Sequence, residues 1–383
     1  MTDRQSFLQA ILESPDDDGL RLIFADWLEE RGDPLGEFIR TEIALMGPEQ
    51  DPGRHLSLLT RGRELFEVHG KEWAGPVAEM VRYYTFTRGF LEAVDAEAKA
   101  FLDHAEALFR AAPIRRLTLH NASLYVRELM ACPFLRRLSV LVLNGTDLGD
   151  LGAELLAASP HLAGLTELYL STNMIELRGV RALAASPHLA NLSLLTLEGN
   201  PIGDLGVAAV CNSKTLTRLE SLNLVSCDLG ETGARLIAGS AALPRLRLLN
   251  LDCNEIGNPG VRALAAARNA SGLISLGLSR VGINSLGAQA LARSAHLARL
   301  QQLDLSHNHI SDVGAEALAG AAHLARLRGL SLRANHVGDA GAQALAGSPH
   351  LQNLQWLSVG PDRISPKGKA LLKERFGERV SFV

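Results

Sequence analysis

Three histidines are the first candidates for chemistry in this sequence. His307, His309 and His336 would come close together if the segments that carry them stack, and a metal site needs such clustering. No carboxylate or cysteine completes a ligand set at matching spacing, so we favour solvated turn residues over a metal site. Cys253 could be a nucleophile, but His307 follows it by 54 residues, two strands away in the sheet expected below, at about 10 Å. We therefore expect neither a metal nor a cofactor.

The sequence carries no combination of residues typical of a catalytic site. GxSxG, HExxH, the P-loop and a GxGxxG in the right context do not occur. Asp16, Asp17 and Asp18 could form a cation cluster, but they precede an expected helix, whose N-terminus acidic residues stabilise. Helix capping is the favoured interpretation, and we expect a protein without enzymatic activity.

Composition excludes several other classes of function. The 383 residues include 38 Lys and Arg against 42 Asp and Glu, a net charge of −4, which argues against a nucleic-acid-binding protein. Hydrophobic residues make up 47% of the chain, enough for a large core. The four cysteines form no CxxC pair, and neither a secretory signal nor a membrane-spanning apolar run is visible. We expect a soluble, cytoplasmic protein that binds no membrane.

Four columns of identical or similar residues recur every 27 positions and predict a repeat protein. The first comprises Leu138, Leu165, Leu192, Leu219, Leu246, Leu273, Leu300, Leu327 and Leu354. The second comprises Leu141, Leu168, Leu195, Leu222, Leu249, Leu276, Leu303, Leu330 and Leu357. The third comprises Leu143, Leu170, Leu197, Leu224, Leu251, Leu278, Leu305, Leu332 and Val359. The glycine column comprises Gly152, Gly179, Gly206, Gly233, Gly260, Gly287, Gly314, Gly341 and Gly368.

Each unit reads as a short strand followed by a helix. The LxL step has period 2, typical of a strand, and the segment after the glycine is rich in Ala and Leu at helical spacing. Strands pack about 4.8 Å apart and helices about 10 Å apart, so the stack should curve into a horseshoe. The parallel sheet would then lie on the concave face and the helices on the convex face. We expect each helix to be capped by the residue just before it in one column: Asp150, Asp204, Asn258, Ser285, Asp312 and Asp339.

A further column is polar and should satisfy backbone groups in the turn that leaves each strand. An amide there can both donate and accept hydrogen bonds, and cysteine is an accepted alternative. The residues assigned to this structural ladder are Asn173, Asn200, Cys227, Asn254, Asn308 and Asn335.

These patterns resemble the leucine-rich repeat proteins of the ribonuclease-inhibitor-like subclass, in which each repeat has a full α-helix. The resemblance covers residues 138–372 and implies the horseshoe. We divide the chain into atypical capping repeats at 76–137 and a solenoid of nine 27-residue repeats with a C-terminal cap at 138–383. End repeats must differ, because one of their faces has no neighbouring repeat to bury it.

Residues 1–75 are predicted to be a small helical domain. Apolar residues at helical spacing mark four helices, within 7–12, 20–28, 38–45 and 58–73, and 46–54 is the expected mobile loop. The string ADWLEERGDPLGEFIR resembles the repeat-companion domain, a bacterial module found at the N-termini of repeat proteins, chiefly in planctomycetes. That resemblance implies no biochemical activity.

Side chains between the core leucines should point out of the concave sheet and form its binding surface. Carboxylates gather in the middle of this face and would favour a basic partner: Glu167, Glu198, Asp252 and Asp304. Aromatic and arginine side chains dominate protein hot spots, which adds Tyr169, Arg280, Arg333 and Trp356. An alternative for Trp356 is that it covers the exposed end of the last strands.

The leading hypothesis is a non-enzymatic scaffold that presents the concave face to another protein or peptide. By analogy with repeat proteins of the same subclass, the alternative is a GTPase-activating or other regulatory accessory of a nucleotide-binding enzyme. A third hypothesis is a structural role with weak self-association through the helical module, instead of a monomer.

Overall fold

The computed structural model describes residues 3–47 and 51–383, and the chain divides into two compact units, Met1–Thr146 and Asp147–Val383. The described helices of the first unit are α1 (Asp3–Glu13), α2 (Asp18–Glu29), α3 (Pro34–Met46), α4 (Pro52–Ala74), α5 (Val77–Met80), α6 (Ala98–Ala111) and α7 (Val126–Ala131), with 3-10 turns at Ala122–Tyr125 and Pro133–Arg137. The four helices predicted in 1–75 are present. The expected loop at 46–54 includes residues 48–50, which lie outside the described residues.

The strands of the first unit are β1 (Tyr83–Thr87), β2 (Phe90–Glu97), β3 (Arg116–His120) and β4 (Val140–Val142). β2, β3 and β4 are parallel neighbours, whereas β1 and β2 form an antiparallel hairpin that the repeat pattern did not predict. Its two-residue turn is Arg88-Gly89, with φ of +52° and +79°, the left-handed pair that a tight hairpin requires. A Cβ at Gly89 would lie 2.3 Å from Ile39, so the turn also needs glycine for space.

The helical module and the hairpin share one apolar core in the first unit. Phe24 and Phe38 from the helices pack with Phe90 of β2. A buried ion pair crosses the same core: Arg21, with no exposed surface, donates to Glu92 at 2.5 Å and to the carbonyl of Pro15 at 2.5 Å. The domain boundary expected at 75/76 thus falls within a packed unit, and the domain divisions stay predictions.

The second unit repeats one strand and one helix. Its strands are β5 (Glu167–Tyr169), β6 (Leu194–Thr196), β7 (Ser221–Asn223), β8 (Leu248–Asn250), β9 (Ser275–Gly277), β10 (Gln302–Asp304), β11 (Gly329–Leu332), β12 (Trp356–Val359) and β13 (Val380–Phe382). Its helices are α8 (Gly149–Ala158), α9 (Leu177–Ala185), α10 (Gly203–Cys211), α11 (Glu231–Gly239), α12 (Gly257–Ala266), α13 (Ser285–Ala292), α14 (Asp312–Ala319), α15 (Asp339–Gly347) and α16 (Pro366–Phe376). Further 3-10 turns are Pro160–Leu162, Pro187–Leu189, Arg268–Gly272, Ala322–Leu324 and Gly377–Arg379.

The 27-residue period is the register of the parallel sheet. Leu168 pairs with Leu195, Leu195 with Leu222, and the same offset continues through β12. Every residue of the three leucine columns is at most 4% exposed, and each helix packs against the next. The fold is therefore α/β, and the second unit is a solenoid with strands on one side and helices on the other.

Buried asparagines join consecutive repeats at the turn after each strand. The Oδ1 atom of Asn254 accepts from the N–H of Cys227 at 3.1 Å and of Leu229 at 3.0 Å, both in the preceding repeat. Its Nδ2 donates to the carbonyls of Leu224 and Leu251. Hydrogen bonds of the same kind are made by Asn173, Asn200, Asn308 and Asn335.

Cys227, at the same position in its repeat, makes only some of the hydrogen bonds that the asparagines make. The Cys227 thiol donates to the carbonyl of Leu197 at 3.2 Å. In the repeat before it, the N–H of Ile202 bonds the carbonyl of Asn200 at 2.8 Å instead of a side-chain amide. The N–H of Ile202 therefore bonds a nearby backbone carbonyl, because Cys227 has no side-chain amide oxygen to accept it.

The residues expected to cap their own helices do cap helices, but those of the following repeat. Asp204 is already inside α10, and its Oδ1 accepts from the N–H of Gly230 and of Gly233 at the start of α11, both at 2.9 Å. Asp150, Asn258 and Asp312 do the same one repeat further on, and Asp339 accepts from Ser365. The assignment to each residue's own helix was wrong: Asp204, for example, already lies in the first turn of α10, and its carboxylate bonds the N–H groups at the start of α11.

Buried serines make a third set of bonds between repeats. The hydroxyl of Ser186 donates to the carbonyl of Ala157 at 2.5 Å, which terminates α8, and accepts from the N–H of His188 at 3.2 Å. Equivalent bonds from the hydroxyl to a carbonyl in the preceding repeat are made by Ser213, Ser240, Ser294 and Ser348. The ends of α8, α9, α10, α12 and α14 are therefore each bonded to the following repeat.

Candidate functional site

The strands of the second unit share one face that carries a depression of about 460 Å³. Residues of β7 to β10 line it, together with Trp356 of β12. One strand, β11, lies between β10 and β12, so Trp356 lines the depression by reaching across that strand. We call this site the strand-face depression; three of the predicted contact residues line it, Asp252, Asp304 and Trp356.

Asp252 is the most perturbed group in the depression. It follows β8, and its Oδ1 accepts from the N–H of Ser279 at 2.7 Å. Burial raises the pKa of Asp252 to about 6, and the negative charges of Asp304 and Glu198 act in the same direction. The hydrogen bonds from Ser279 and Asn250 oppose that rise. The site therefore holds a carboxylate that is only partly stabilised in its charged form.

Asp304 and Glu198 extend the negative charge along the face. Asp304, on β10, accepts from the N–H of Ser306 at 2.8 Å. Glu198 is exposed after β6 and accepts from the side-chain amide of Asn223, a residue of the depression, at 3.1 Å. Three carboxylates from three different repeats thus border one concavity.

Trp356 crosses a neighbouring strand to reach the depression. A Cβ at Gly329 of β11 would lie 2.2 Å from the Trp356 ring and 2.0 Å from Oε1 of Gln302 on β10. The missing side chain at Gly329 lets the indole lie flat across that strand, and Trp356 keeps 40% of its surface exposed. An exposed indole at the border of a polar concavity is typical of contact surfaces.

The other predicted contact residues lie outside the depression. Glu167 and Tyr169 are together on β5, where the tyrosine hydroxyl donates to Glu167 at 2.9 Å. Arg280 and Arg333 are exposed in the turns after β9 and β11. These four residues border the same strand face without lining its deepest part.

Asn250, Gly277 and Gln302 also line the depression, and the sequence analysis assigned them no role. The side-chain oxygen of Asn250 accepts from the backbone N–H of Asp252 at 3.0 Å, which holds the Asn250 side chain beside Asp252. A Cβ at Gly277 would lie 2.3 Å from Oδ1 of Asn250 and 2.8 Å from Oδ1 of Asp252. The signal available in the sequence was Gly277 itself, at the position that Asn250 and Asp304 occupy in the repeats before and after it.

The candidate histidines stay apart from this site. The rings of His309 and His336 are 5.5 Å apart, and over residues 3–47 and 51–383 no group of three or more His, Cys, Asp or Glu is placed to hold a metal. Cys253 is exposed. No helix among the described residues is long and apolar enough to cross a bilayer.

A family model described as "Leucine Rich repeat" matches residues 215–238, 243–265, 296–319 and 326–346. No curated protein matches the chain. Among solved structures, an internalin from Listeria monocytogenes is similar at 22% identity, with a TM-score of 0.33, covering 66% of this chain and 82% of its own. The yeast complex of Rad7 and Elc1 is similar at 14% identity, with a TM-score of 0.45, covering 94% of this chain and 92% of its own. Four segments of the second unit thus match the leucine-rich repeat model.

Proposed function

We propose that this protein is a non-enzymatic scaffold that binds another protein or a peptide on the strand face of its second unit. The observation that carries the proposal is the strand-face depression, in which polar and aromatic side chains of several repeats are presented together. Preformed concave surfaces of this kind suit the capture of a macromolecular partner.

Several side chains on the strand face are already held in place by hydrogen bonds, and this supports the same function. Asn250, Asp252 and Asp304 are each fixed by a hydrogen bond to backbone N–H groups of the sheet or the following turn. Side chains that are already immobilised lose little conformational entropy when a partner binds, so more of the contact energy contributes to affinity.

We also infer that the repeats are of the ribonuclease-inhibitor-like subclass and that the N-terminal segment is a repeat-companion domain. An α-helix of eight to eleven residues in each repeat supports the first inference. The ADWLEERGDPLGEFIR motif, which spans the end of α2 and most of α3, supports the second.

The test is chemical crosslinking and pull-down from extracts of cells that express the full chain, with charge-reversal variants. Glu198→Lys and Asp252→Lys change the strand face, whereas Glu316→Lys changes an exposed glutamate of α14 on the helix side and serves as the control. The scaffold proposal predicts that partners captured by the wild type and by Glu316→Lys are lost with both strand-face variants. Partners lost only with Glu316→Lys would place recognition on the helices and contradict the proposal.

A further inference from the structure

Small residues form part of the floor of the strand-face depression. Ser275 and Gly277 of β9 lie at its centre, between the longer side chains of β8 and β10. Because Gly277 has no side chain, Asn250 and Asp252 occupy the space above it, with their oxygens 2.3 Å and 2.8 Å from the Cβ position. At this point the floor therefore presents the side-chain oxygen atoms of Asn250 and Asp252.

Among the described residues, no basic side chain forms an ion pair with the carboxylates that line the depression. Asp252 and Asp304 each use Oδ1 to accept a backbone N–H, and neither forms an ion pair within the described ranges of the chain. Glu198 adds a third negative charge at the rim, where Asn223 is its hydrogen-bond donor. A cationic group that entered the depression would find carboxylates that no protein cation already occupies.

The depression is also lined by one aromatic side chain, that of Trp356. Trp356 lines the same depression as Asp252 and Asp304, and the ring is held across Gly329 with 40% of its surface exposed. Indole is the aromatic side chain that attracts a cation most strongly, and the attraction grows when water is excluded.

The spacing of the acidic groups suits an organic cation better than a metal ion. Asp252 and Asp304 come from strands two places apart, about 10 Å between backbones. A metal ion would need several ligand oxygens within about 2.6 Å, whereas a guanidinium or ammonium at the end of a flexible side chain can bond one carboxylate and lie against the indole.

Building on the scaffold function proposed above, we propose that the strand-face depression is a pocket for an arginine or lysine side chain of a basic peptide segment in the partner. One of the two carboxylates, Asp252 or Asp304, would bond the cation, the other would add to the negative charge around it, and the Trp356 indole would lie against it.

The test is a selection of random dodecapeptides displayed on phage against the full-length protein. We expect the enriched peptides to share an arginine or a lysine. Replacing that residue by the neutral isostere citrulline, or by acetyl-lysine, should weaken binding at least about tenfold, the effect of losing a charge-assisted contact. The double variant Asp252→Asn/Asp304→Asn should cause a similar loss, because asparagine keeps the acceptor oxygen but not the charge.

Two further variants test whether the loss of peptide binding arises at the strand-face depression. Trp356→Leu should weaken binding by about fivefold, because it removes the cation–π contact. Glu316→Gln on α14 should leave affinity unchanged, since that residue is exposed on the helix side. All variants are first compared with the wild type by circular dichroism and urea unfolding.

Peptides without a basic residue, affinity that the double variant leaves unchanged, or no enriched peptide at all would overturn the cationic pocket. The scaffold proposal is judged separately, because capture of a whole protein through the strand face does not require a cationic anchor.

Discussion

The Oδ1 atom of Asp204 accepts the backbone N–H of Gly233, in the following repeat, at 2.9 Å. The contact explains why the residue at position 233 is glycine. A Cβ at Gly233 would lie 2.5 Å from that same oxygen, and the carboxylate offsets the positive end of the α11 dipole. Asp204 therefore caps the helix of the following repeat, and that repeat must carry glycine at position 233 to receive the carboxylate; Asp150, Asn258 and Asp312 make the same contact with Gly179, Gly287 and Gly341.

Substituting the column glycine should destabilise the solenoid. We expect Gly233→Ala to lower the free energy of unfolding by about 2 kcal/mol, because the new methyl group displaces Asp204 from two hydrogen bonds. Gly239→Ala, in the same helix, is the control: its Cβ position has no heavy atom within 4 Å, so the better helix propensity of alanine should raise stability by about 0.5 kcal/mol. Urea unfolding monitored by circular dichroism measures both changes. Equal effects of the two substitutions would refute the steric argument.

The asparagine ladder makes a second stability prediction. Asn254→Ala should reduce stability by about 3 kcal/mol, because it leaves the buried N–H groups of Cys227 and Leu229 without an acceptor. The exposed Asn353, whose amide donates only to the carbonyl of Ala325, should tolerate alanine at a cost of about 0.5 kcal/mol. The comparison uses the shift in urea midpoint, and a small shift for Asn254→Ala would mean that water replaces the amide.

The buried ion pair of the first unit should be more sensitive than the surface pairs. Glu92→Ala leaves the Arg21 guanidinium buried without its carboxylate, in a site where desolvation already lowers the pKa of Arg21. We expect a loss of about 3–5 kcal/mol. Glu67→Ala breaks the exposed pair between Arg63 and Glu67 on α4 and should cost under about 1 kcal/mol. Thermal unfolding of the full-length variants distinguishes these outcomes, and similar melting temperatures would contradict the pairing.

Asp252 should make stability depend on pH. Its folded-state pKa of about 6 is above the ordinary aspartate value, so the folded protein holds an extra proton between about pH 4 and pH 6, and stability falls as pH rises through that window. The carboxylates of Asp304 and Glu198 contribute to the shift. Asp252→Asn should therefore raise the free energy of unfolding at pH 7.5 by about 1 kcal/mol, with a smaller gain at pH 4.5. A gain that did not depend on pH would contradict this assignment.

Much of the solenoid could be predicted from the sequence because its period is also the register of the sheet. The leucine columns identify both the strand positions and the core, with no tertiary information. The target of Asp204 could not be predicted, since a column that repeats every 27 residues looks the same whether it caps its own helix or the next. The hairpin of β1 was missed because it precedes the first repeat, although its Tyr and Thr residues have high strand propensity.

For the candidate site, the sequence could predict only the face of the sheet on which it lies. Alternation along the strands assigns Asp252, Asp304 and Trp356 to the exposed side of the sheet. Their common depression depends on the indole lying across Gly329, and the pKa of Asp252 depends on burial beside Gly277. Both are consequences of side-chain packing between repeats, which the composition of a single column does not reveal.

Site-specific photo-crosslinking tests the scaffold proposal most directly. Leu248, 44% exposed on β8 in the depression, and Leu205, 63% exposed on α10, are matched positions for p-benzoylphenylalanine on the strand and helix sides. We predict that irradiation in cells gives a discrete protein adduct from position 248 and none from position 205. Adducts from position 205 alone would show that the helices, and not the strand face, receive the partner.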